Sequence, residues 1–308
     1  MHRLPAEGLD LPDLLAILAP VPSDIRMLLP LAERLIRRRL HALGITSGQL
    51  TTASGDLHYY EARGAQDLPP LVILHGFGAN ATSFARVLAH LHTRVGPILA
   101  PDAPAHGFST TRHRAMTVDL AYAGVAELLL RRTDTPAILF GNSMGGAFAL
   151  RFALEHPERV RGLFLSSPVG AALDAQDFSS LRDSFRVRSL GHARRLVDSL
   201  THRQAWFTPL VTPDTLWRFG RGPLRAVLES FQPSHMFTAE QLGALRAPTL
   251  LQWGRSERVL PSASLEFFRR ALPPHVVFEE PDEFGHCPHM DQPRQVAARI
   301  ADFVRSLA

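Results

Sequence analysis

The chain has 308 residues, which is long enough for one large core domain with an insertion. All 33 of its basic residues are arginine, so the sequence excludes chemistry that needs a lysine, such as a Schiff base or a Walker phosphate site. The arginines are scattered among 29 acidic residues and the formal net charge is only +4, so we expect no nucleic-acid partner.

The cysteine content and the apolar runs indicate where the protein works. Cys287 is the only cysteine, so no intrachain disulfide favours secretion. The apolar stretch 14–21 is too short for a membrane span, follows Asp13 and contains Pro20, so it does not have the pattern of a signal peptide. We therefore expect a cytoplasmic protein without an integral membrane segment, and the sequence leaves the oligomeric state open.

Residues 1–46 form an N-terminal extension, with a helix predicted over residues 25–43. Apolar residues recur there at helical spacing, and the arginines lie opposite them. The apolar positions are Leu28, Leu31, Ala32, Leu35, Ile36 and Leu43, and the arginines are Arg34, Arg37, Arg38 and Arg39. The pattern favours a helix packed on the main domain with its arginines in water. The alternative is peripheral contact with a lipid surface.

Strand and helix patterns alternate over residues 47–168 and 247–308. Residues 49–53 and 56–61 flank Ser54-Gly55 as an opening hairpin. Further strands are predicted over 71–74, 97–101, 137–140, 162–165, 249–252 and 276–279, and helices over 81–92, 117–131, 147–156, 263–272 and 294–306. Such alternation is typical of an α/β fold in which helices cover both faces of a mostly parallel sheet.

Residues 169–246 interrupt this alternation. They lack strand-like runs and contain helical patterns over 181–200 and 215–230. Because the segment follows one core strand and precedes another, it predicts a helical cap above the ends of the strands. Open α/β sheets bind their ligands at that edge.

The turn after the predicted strand 137–140 reads Gly141-Asn142-Ser143-Met144-Gly145-Gly146. A serine between a strand and a helix lies on a sharp, strained turn, and glycines two positions before and after it avoid a collision. The pattern predicts that Ser143 is a nucleophile.

A serine hydroxyl needs a base that removes its proton as it attacks. His286 lies between the last core strand and the closing helix, and we expect it to be that base, with His289 as the fallback. Glu257 follows strand 249–252 and would orient the imidazole, which gives the chain order serine, acid, histidine. Asp174 and Asp282 are alternative acids.

The oxyanion formed by such an attack requires preorganised donors. We expect these to be the backbone N–H groups of Met144 and Phe77. Gly76 and Asn142 are expected to border the substrate, although Asn142 would also suit a loop-holding role. His75 stands beside Gly76 and is expected to pin the loop rather than to act as a base.

The cluster of His286, Cys287 and His289 does not have the spacing of a metal site. Pro288 stiffens the segment, and no second cluster accompanies it. We therefore predict neither a metal nor any other cofactor.

Together these residues resemble the α/β-hydrolase superfamily, in its capped branch of esterase-like and lipase-like serine hydrolases. The resemblance rests on His75-Gly76-Phe77-Gly78, the segments 102–109 and 253–261, the Ser143 turn and Gly285-His286. It implies an eight-stranded, mostly parallel sheet with the cap between the sixth and seventh strands. Glu257 stands where the family usually has aspartate, so the identity of the acid stays open.

The sequence therefore predicts a serine hydrolase that cleaves a carboxylic ester, a small molecule, through a Ser143–His286–Glu257 triad and an acyl-enzyme. Aromatic residues in the cap indicate an apolar acyl chain, namely Phe178, Phe185, Trp206, Phe207, Trp217, Phe219, Phe231 and Phe237. One alternative is a hydrolase of carbon–carbon bonds in ring-fission diketones, although those relatives usually carry tryptophan where Cys287 stands. The other is a non-catalytic ligand sensor on the same scaffold.

Overall fold

A single sheet organises the computed structural model, which describes residues 28–65, 67–113, 115–204, 208–220 and 222–308. Within these residues the sheet has eight strands, in the order β1-β2-β4-β3-β5-β6-β7-β8. The strands are β1 (Thr46–Thr52), β2 (Gly55–Ala62), β3 (Leu71–Leu74), β4 (Ile98–Pro101), β5 (Ala137–Asn142), β6 (Val160–Ser166), β7 (Thr249–Gln252) and β8 (Val277–Glu279).

The sheet is mostly parallel, as the sequence predicts. β1 and β2 form an antiparallel hairpin, and β2 pairs antiparallel with β4. Every pairing from β4 to β8 is parallel. β1 begins three residues before the predicted strand 49–53, because this edge strand carries polar, largely exposed residues that give no apolar signal.

Helices cover both faces of this sheet. They are α1 (Leu28–Ala42), α2 (Ala85–Leu91), α3 (Val118–Arg132), α4 (Met144–Glu155), α5 (Ala175–Ser184), α6 (Leu190–Leu200), α7 (Thr208–Gly220), α8 (Gly222–Ser230), α9 (Ala239–Gly243), α10 (Ser262–Ala271), α11 (Pro288–Asp291) and α12 (Pro293–Ser306). Short 3-10 turns lie at Ala81–Phe84, Pro157–Arg159 and Pro233–His235. One core cluster includes α3, α4 and α10, and the other lies under α1, α2 and α12. The central strands are buried from both sides, which explains their continuous apolar runs.

Helices α5 to α9 lie between β6 and β7, where the resemblance predicts a cap. The predicted helical run 181–200 is wrong as one continuous element, because α5 ends at Ser184 and α6 begins at Leu190. The side chain of Ser189 accepts a hydrogen bond from the His192 N–H at 3.2 Å and so starts the second helix.

The predicted run 215–230 is likewise two helices. α7 begins earlier, at Thr208, and α8 begins at Gly222, whose φ of +69° does not continue the preceding helix. The limits 1–46, 169–246 and the two core segments stay predictions as domain boundaries.

Helix α1 is anchored on the core by part of its surface. Leu40 is buried, and the Arg37 guanidinium donates to the Ser47 hydroxyl at 2.8 Å and lies 5.5 Å from the Phe108 ring. Leu35 and Leu43 were expected on the packed face but are 51% and 42% exposed, because Ile36 and Leu40 make the contact instead.

The surroundings of α1 leave two expectations open. The apolar stretch 14–21 and the predicted helix start at residues 25–27 lie outside the described residues. Among the described helices, none is long and apolar enough to cross a membrane. Peripheral lipid contact through the exposed arginines of α1 stays a prediction.

Asp102 joins three segments beneath the edge of the sheet where the site lies. Its fully buried carboxylate accepts hydrogen bonds from the Ala81 N–H at 2.7 Å and the Phe108 N–H at 2.9 Å. The His58 ring lies 3.0 Å from the same carboxylate. Burial alone would raise the pKa of Asp102, but these hydrogen bonds and neighbouring His75 lower it below the ordinary value of 3.8.

We expect Asp102→Ala to lower the free energy of unfolding by about 3 to 5 kcal/mol at neutral pH, because it leaves buried partners without a charge. Urea denaturation measures this loss. Asp134→Ala, which removes an exposed carboxylate, serves as the control and should change stability little.

The pH dependence of that difference follows from the direction of the pKa shift. A carboxylate whose pKa is lower in the folded state stabilises the fold above its unfolded pKa, and this contribution is lost as the pH falls through the folded pKa. The difference in the free energy of unfolding between wild type and Asp102→Ala should therefore stay constant from neutral pH down to the ordinary pKa of 3.8 and decrease below it. A difference that grows in acid contradicts this account.

Candidate active site

Ser143 lies in a strained turn between the end of β5 and the start of α4. Its backbone has φ +55° and ψ −118°, a conformation that residues with side chains rarely adopt. A Cβ at Gly141 would collide with the Gly145 carbonyl, and one at Gly145 would collide with the Leu74 carbonyl. The predicted reason for both glycines, close approach of backbone around the serine, is what the structure shows.

The loop after β3 packs directly against this turn. A Cβ added at Gly76 would lie 3.3 Å from the Ser143 Cβ, and Phe77 lines the same cavity as Ser143. Met144 is the first residue of α4, so its N–H has no acceptor within the helix. Throughout the described residues, neither the Met144 nor the Phe77 N–H donates to another group. Their role in binding an oxyanion stays a prediction.

His75 holds this loop in place, as expected. The Ala103 N–H donates to His75 Nε2 at 3.0 Å, so the proton lies on Nδ1, which donates to the Gly76 carbonyl at 2.8 Å. Burial lowers the pKa of His75, so the ring is neutral and both nitrogens are used.

The structure brings Glu257 and His286 into direct contact. Nδ1 of His286 lies 2.8 Å from a Glu257 carboxylate oxygen, and both side chains are nearly inaccessible to solvent. The other carboxylate oxygen accepts from the Val259 and Leu260 N–H groups at 2.7 and 3.1 Å. Burial alone would raise the pKa of Glu257, but His286 and the Val259 N–H lower it, so the acid is ionised. An ionised carboxylate on Nδ1 leaves Nε2 as the basic nitrogen.

Asn142 ties the His286 loop to the Ser143 turn. Its side-chain amide donates to the backbone carbonyls of His286 at 2.8 Å and Ser166 at 3.1 Å. The Cys287 thiol lies 3.5 Å from the amide oxygen. The Asn142 side chain is fully buried and does not line the cavity, so its hydrogen bonds hold the two loops together. Contact of Asn142 and Gly76 with a substrate stays a prediction.

The fallback residues lie elsewhere. His289 is buried and stacks on Phe84 at 3.9 Å, and burial lowers its pKa to about 3. Asp174 caps α5 by accepting from the Asp177 N–H, and Asp282 pairs with exposed Arg255 at 2.7 Å. In the described part of the chain no group of three histidine, cysteine, aspartate or glutamate side chains is arranged to hold a metal ion.

A cavity of about 600 Å³ opens from Ser143 and follows one face of α4. Its wall near the serine is apolar and includes Phe77, Ala147, Phe185, Leu228, Phe231 and Phe237. Three aromatic residues expected from the sequence therefore face the site. Phe178 is buried behind them, stacked 5.2 Å from Phe231.

The aromatic expectation fails for other cap residues. Trp217 is 56% exposed, so it points away from the catalytic cavity. Phe219 packs 5.4 Å from Phe77 and lines a second cavity of about 1220 Å³ on the other side of that ring. Trp206 and Phe207 lie outside the described residues.

The far wall of the catalytic cavity carries a charged cluster that sequence reasoning missed. Arg151 pairs with Asp119 at 2.7 Å and with Glu155 at 2.9 Å, and His235 lies 3.3 Å from Asp119. Asp119, in the first turn of α3, also lines this wall. Arg151 follows Ser143 by eight residues, which places both on one face of the helix about 12 Å apart along its axis. This spacing was the sequence signal that could have placed Arg151 in the cavity wall.

The comparison with known families agrees with this architecture. A sequence model described as the alpha/beta hydrolase fold matches residues 69–293. The chain belongs to the alpha/beta hydrolase fold family. The predicted family and fold are confirmed.

Individual relatives share the fold and suggest the kind of reaction. A pimeloyl-[acyl-carrier protein] methyl ester esterase of Neisseria meningitidis serogroup C is 27% identical over 76% of this chain and 93% of its own length. A 2-hydroxy-6-oxononadienedioate/2-hydroxy-6-oxononatrienedioate hydrolase of Comamonas testosteroni is 28% identical over 62% of this chain and 72% of its own. The crystal structure of a bacterial membrane phospholipase A superposes with a TM-score of 0.76 at 26% identity, covering 96% of this chain and 97% of that one.

The contact between Glu257 and His286 generates a prediction that needs no substrate. Glu257→Gln keeps the shape of the side chain but removes its charge, so His286 loses the group that fixes its tautomer. We expect covalent labelling of Ser143 by a fluorophosphonate to slow by at least about a hundredfold. Asp282→Asn is the matched control, and equal labelling of the two variants would exclude Glu257 as the orienting acid.

Proposed function

We propose that this protein is a serine hydrolase that cleaves a carboxylic ester through an acyl-enzyme. One observation carries the proposal: the Glu257–His286 pair is bonded through Asn142 to the strained turn that presents Ser143 to the cavity. The esterase and phospholipase among its relatives support the same reaction type.

The reaction divides into two balanced halves. Nε2 of His286 takes the hydroxyl proton as Ser143 Oγ attacks the ester carbonyl carbon, and the Met144 and Phe77 N–H groups bind the oxyanion. The carbon–oxygen bond to the alcohol breaks, and His286 gives the proton to the leaving alkoxide. Water then attacks the acyl-serine with His286 again as base, releasing the acid and restoring Ser143.

The cavity wall supports an apolar chain on the substrate. Aliphatic and aromatic side chains surround the first two turns of α4 beyond Ser143, and Ala147 leaves the space open. Burying each methylene of a bound chain contributes about 0.8 kcal/mol, so binding should strengthen with chain length until the charged far wall is reached.

Steady-state hydrolysis of p-nitrophenyl esters from acetate to palmitate tests the proposal, with Ser143→Ala as the control. We expect kcat/KM to rise from acetate to octanoate and to fall by at least about a thousandfold in the variant. Refusal of every ester beyond octanoate would contradict an extended apolar acyl site. Absence of turnover across the series in folded protein would overturn ester hydrolysis.

Ala147 offers a sharper test of where the chain lies. Ala147→Leu adds bulk one helical turn beyond Ser143, so it should lower the ratio of kcat/KM for octanoate over acetate by about tenfold or more. Ala239→Leu adds the same bulk on the exposed start of α9 and should leave that ratio unchanged. A ratio unaffected by Ala147→Leu would place the acyl chain elsewhere.

Carbon–carbon hydrolysis is a second candidate because of the Comamonas testosteroni relative. Its distinguishing result is decay of a coloured ring-fission dienoate together with negligible ester turnover. Tight ligand binding without turnover of either substrate would instead favour the non-catalytic sensor.

A further inference from the structure

Arg182 is a cavity arginine that the ester mechanism does not use. It lies on α5 and lines the same cavity as Ser143. Its Nε–H is buried without a hydrogen-bond acceptor. Across the described ranges, its guanidinium forms no ion pair or hydrogen bond, and the guanidinium carbon lies 5.9 Å from the centre of the Phe178 ring. Buried donors are rarely left without a partner, so this group is suited to one that arrives with a ligand.

The carboxylates around Arg182 are already engaged. Asp183, the next residue, pairs with Arg186 at 2.9 Å. Asp119 and Glu155 on the cavity wall both pair with Arg151. Arg151 is therefore compensated by two acids, whereas Arg182 faces the same space with its charge unmatched. These carboxylates are 42% to 59% exposed and each already has an arginine partner, so Arg182 could gain one of them only at the expense of an existing pair.

The neighbours of Arg182 place it on the wall of the catalytic cavity. Leu181 beside it and Phe185 one turn later also line the cavity. The Phe185 ring packs 5.9 Å from the ring of Phe77, which lines the same cavity as Ser143. The guanidinium carbon lies 5.9 Å from the centre of the Phe178 ring, and apolar side chains flank the stem of the arginine on the cavity wall.

We propose that Arg182 binds a negatively charged group, a carboxylate or a phosphate, carried by the ester substrate. The planar guanidinium makes paired hydrogen bonds to such oxygens, and the low-polarity wall strengthens them. The inference rests on the proposed ester hydrolysis. It restricts the substrates of that reaction to esters whose anionic group is separated from the scissile carbonyl. The anion belongs either to the acyl chain or to the alcohol.

Two pairs of substrates distinguish these sources. The acyl pair is the mono-p-nitrophenyl ester of suberic acid and p-nitrophenyl octanoate, which differ in the charged end. The alcohol pair is the butanoyl ester of 3-hydroxypropanoic acid and propyl butanoate, followed by acid release in a pH-stat. For each pair the quantity measured is the ratio of kcat/KM for the charged ester over the neutral one.

The wild-type ratio should exceed one in the pair that matches the natural source of the anion. Arg182→Gln keeps a polar side chain that can donate hydrogen bonds but shortens it and removes its charge, and should lower that ratio about ten- to a hundredfold. Arg182→Lys should restore part of it. Arg195→Gln, on the exposed face of α6 and away from both cavities, controls for net charge and should leave the ratio unchanged.

The outcomes separate this inference from the proposed function. Turnover of neutral esters that depends on Ser143, with a charged-to-neutral ratio unaffected by Arg182→Gln in both pairs, overturns anion binding and leaves ester hydrolysis standing. Equal loss on charged and neutral esters would also overturn it, because it would assign Arg182 a packing role. No hydrolysis of any of the four esters by folded wild type would reject the proposed function itself.

Discussion

The hydrogen bond from the Asn142 side chain to the His286 carbonyl is the constraint on which the site depends. It joins residues 144 positions apart in sequence and connects the turn after β5 to the loop after β8. The same amide also holds the end of β6 through Ser166. Asn142 is fully buried, so water cannot replace its hydrogen bonds. A shift of the His286 loop would therefore leave buried polar groups without partners, which costs free energy. The position of His286, the proposed base, is thus tied to the sheet by Asn142.

The buried charges of the site follow a consistent physical rule. Glu257 and Asp102 are carboxylates removed from water, and burial by itself disfavours their charged forms. Each is surrounded by a histidine and at least two backbone N–H donors, which outweigh burial and keep it ionised. Glu257 contacts His286, which we propose as the base, whereas Asp102 holds loops. The same kind of stabilisation therefore keeps a carboxylate charged at the candidate site and in a structural position.

Much of the core and of the site geometry could be predicted because local chemistry determines it. The strained serine turn requires glycine on both sides. Buried parallel strands such as β3 and β5 are visible in the sequence as short runs of apolar residues. The contact between Glu257 and His286 could be anticipated from the place of Glu257 after β7, whereas its role as the acid stays a prediction. The Val259 and Leu260 N–H groups hold its carboxylate. These features depend on neighbours in sequence or on strand order.

The cap could not be predicted to the same depth, because tertiary contacts decide its breaks and faces. The chain between α5 and α6 leaves the helical path while Phe185 and Val187 become buried, and periodicity does not show such a break. Trp217 is an aromatic residue of the type that lines substrate cavities, yet it is half-exposed and lines the second cavity rather than the one at Ser143. Pairing of Arg151 with Asp119 joins α4 to α3, which no local pattern specifies.

The division of charge along the cavity gives the site its chemical character. Beyond the apolar stretch near Ser143, the Arg151 cluster closes the wall with charges that already satisfy one another. A compensated cluster attracts an incoming ion weakly, because binding would require breaking an existing pair. Arg182 has no such competitor among the described residues, so under the proposed ester hydrolysis we expect it, rather than Arg151, to distinguish charged from neutral chains. The apolar walls favour methylenes and the guanidinium favours an anion, so an amphipathic ester is the substrate that we expect to bind best.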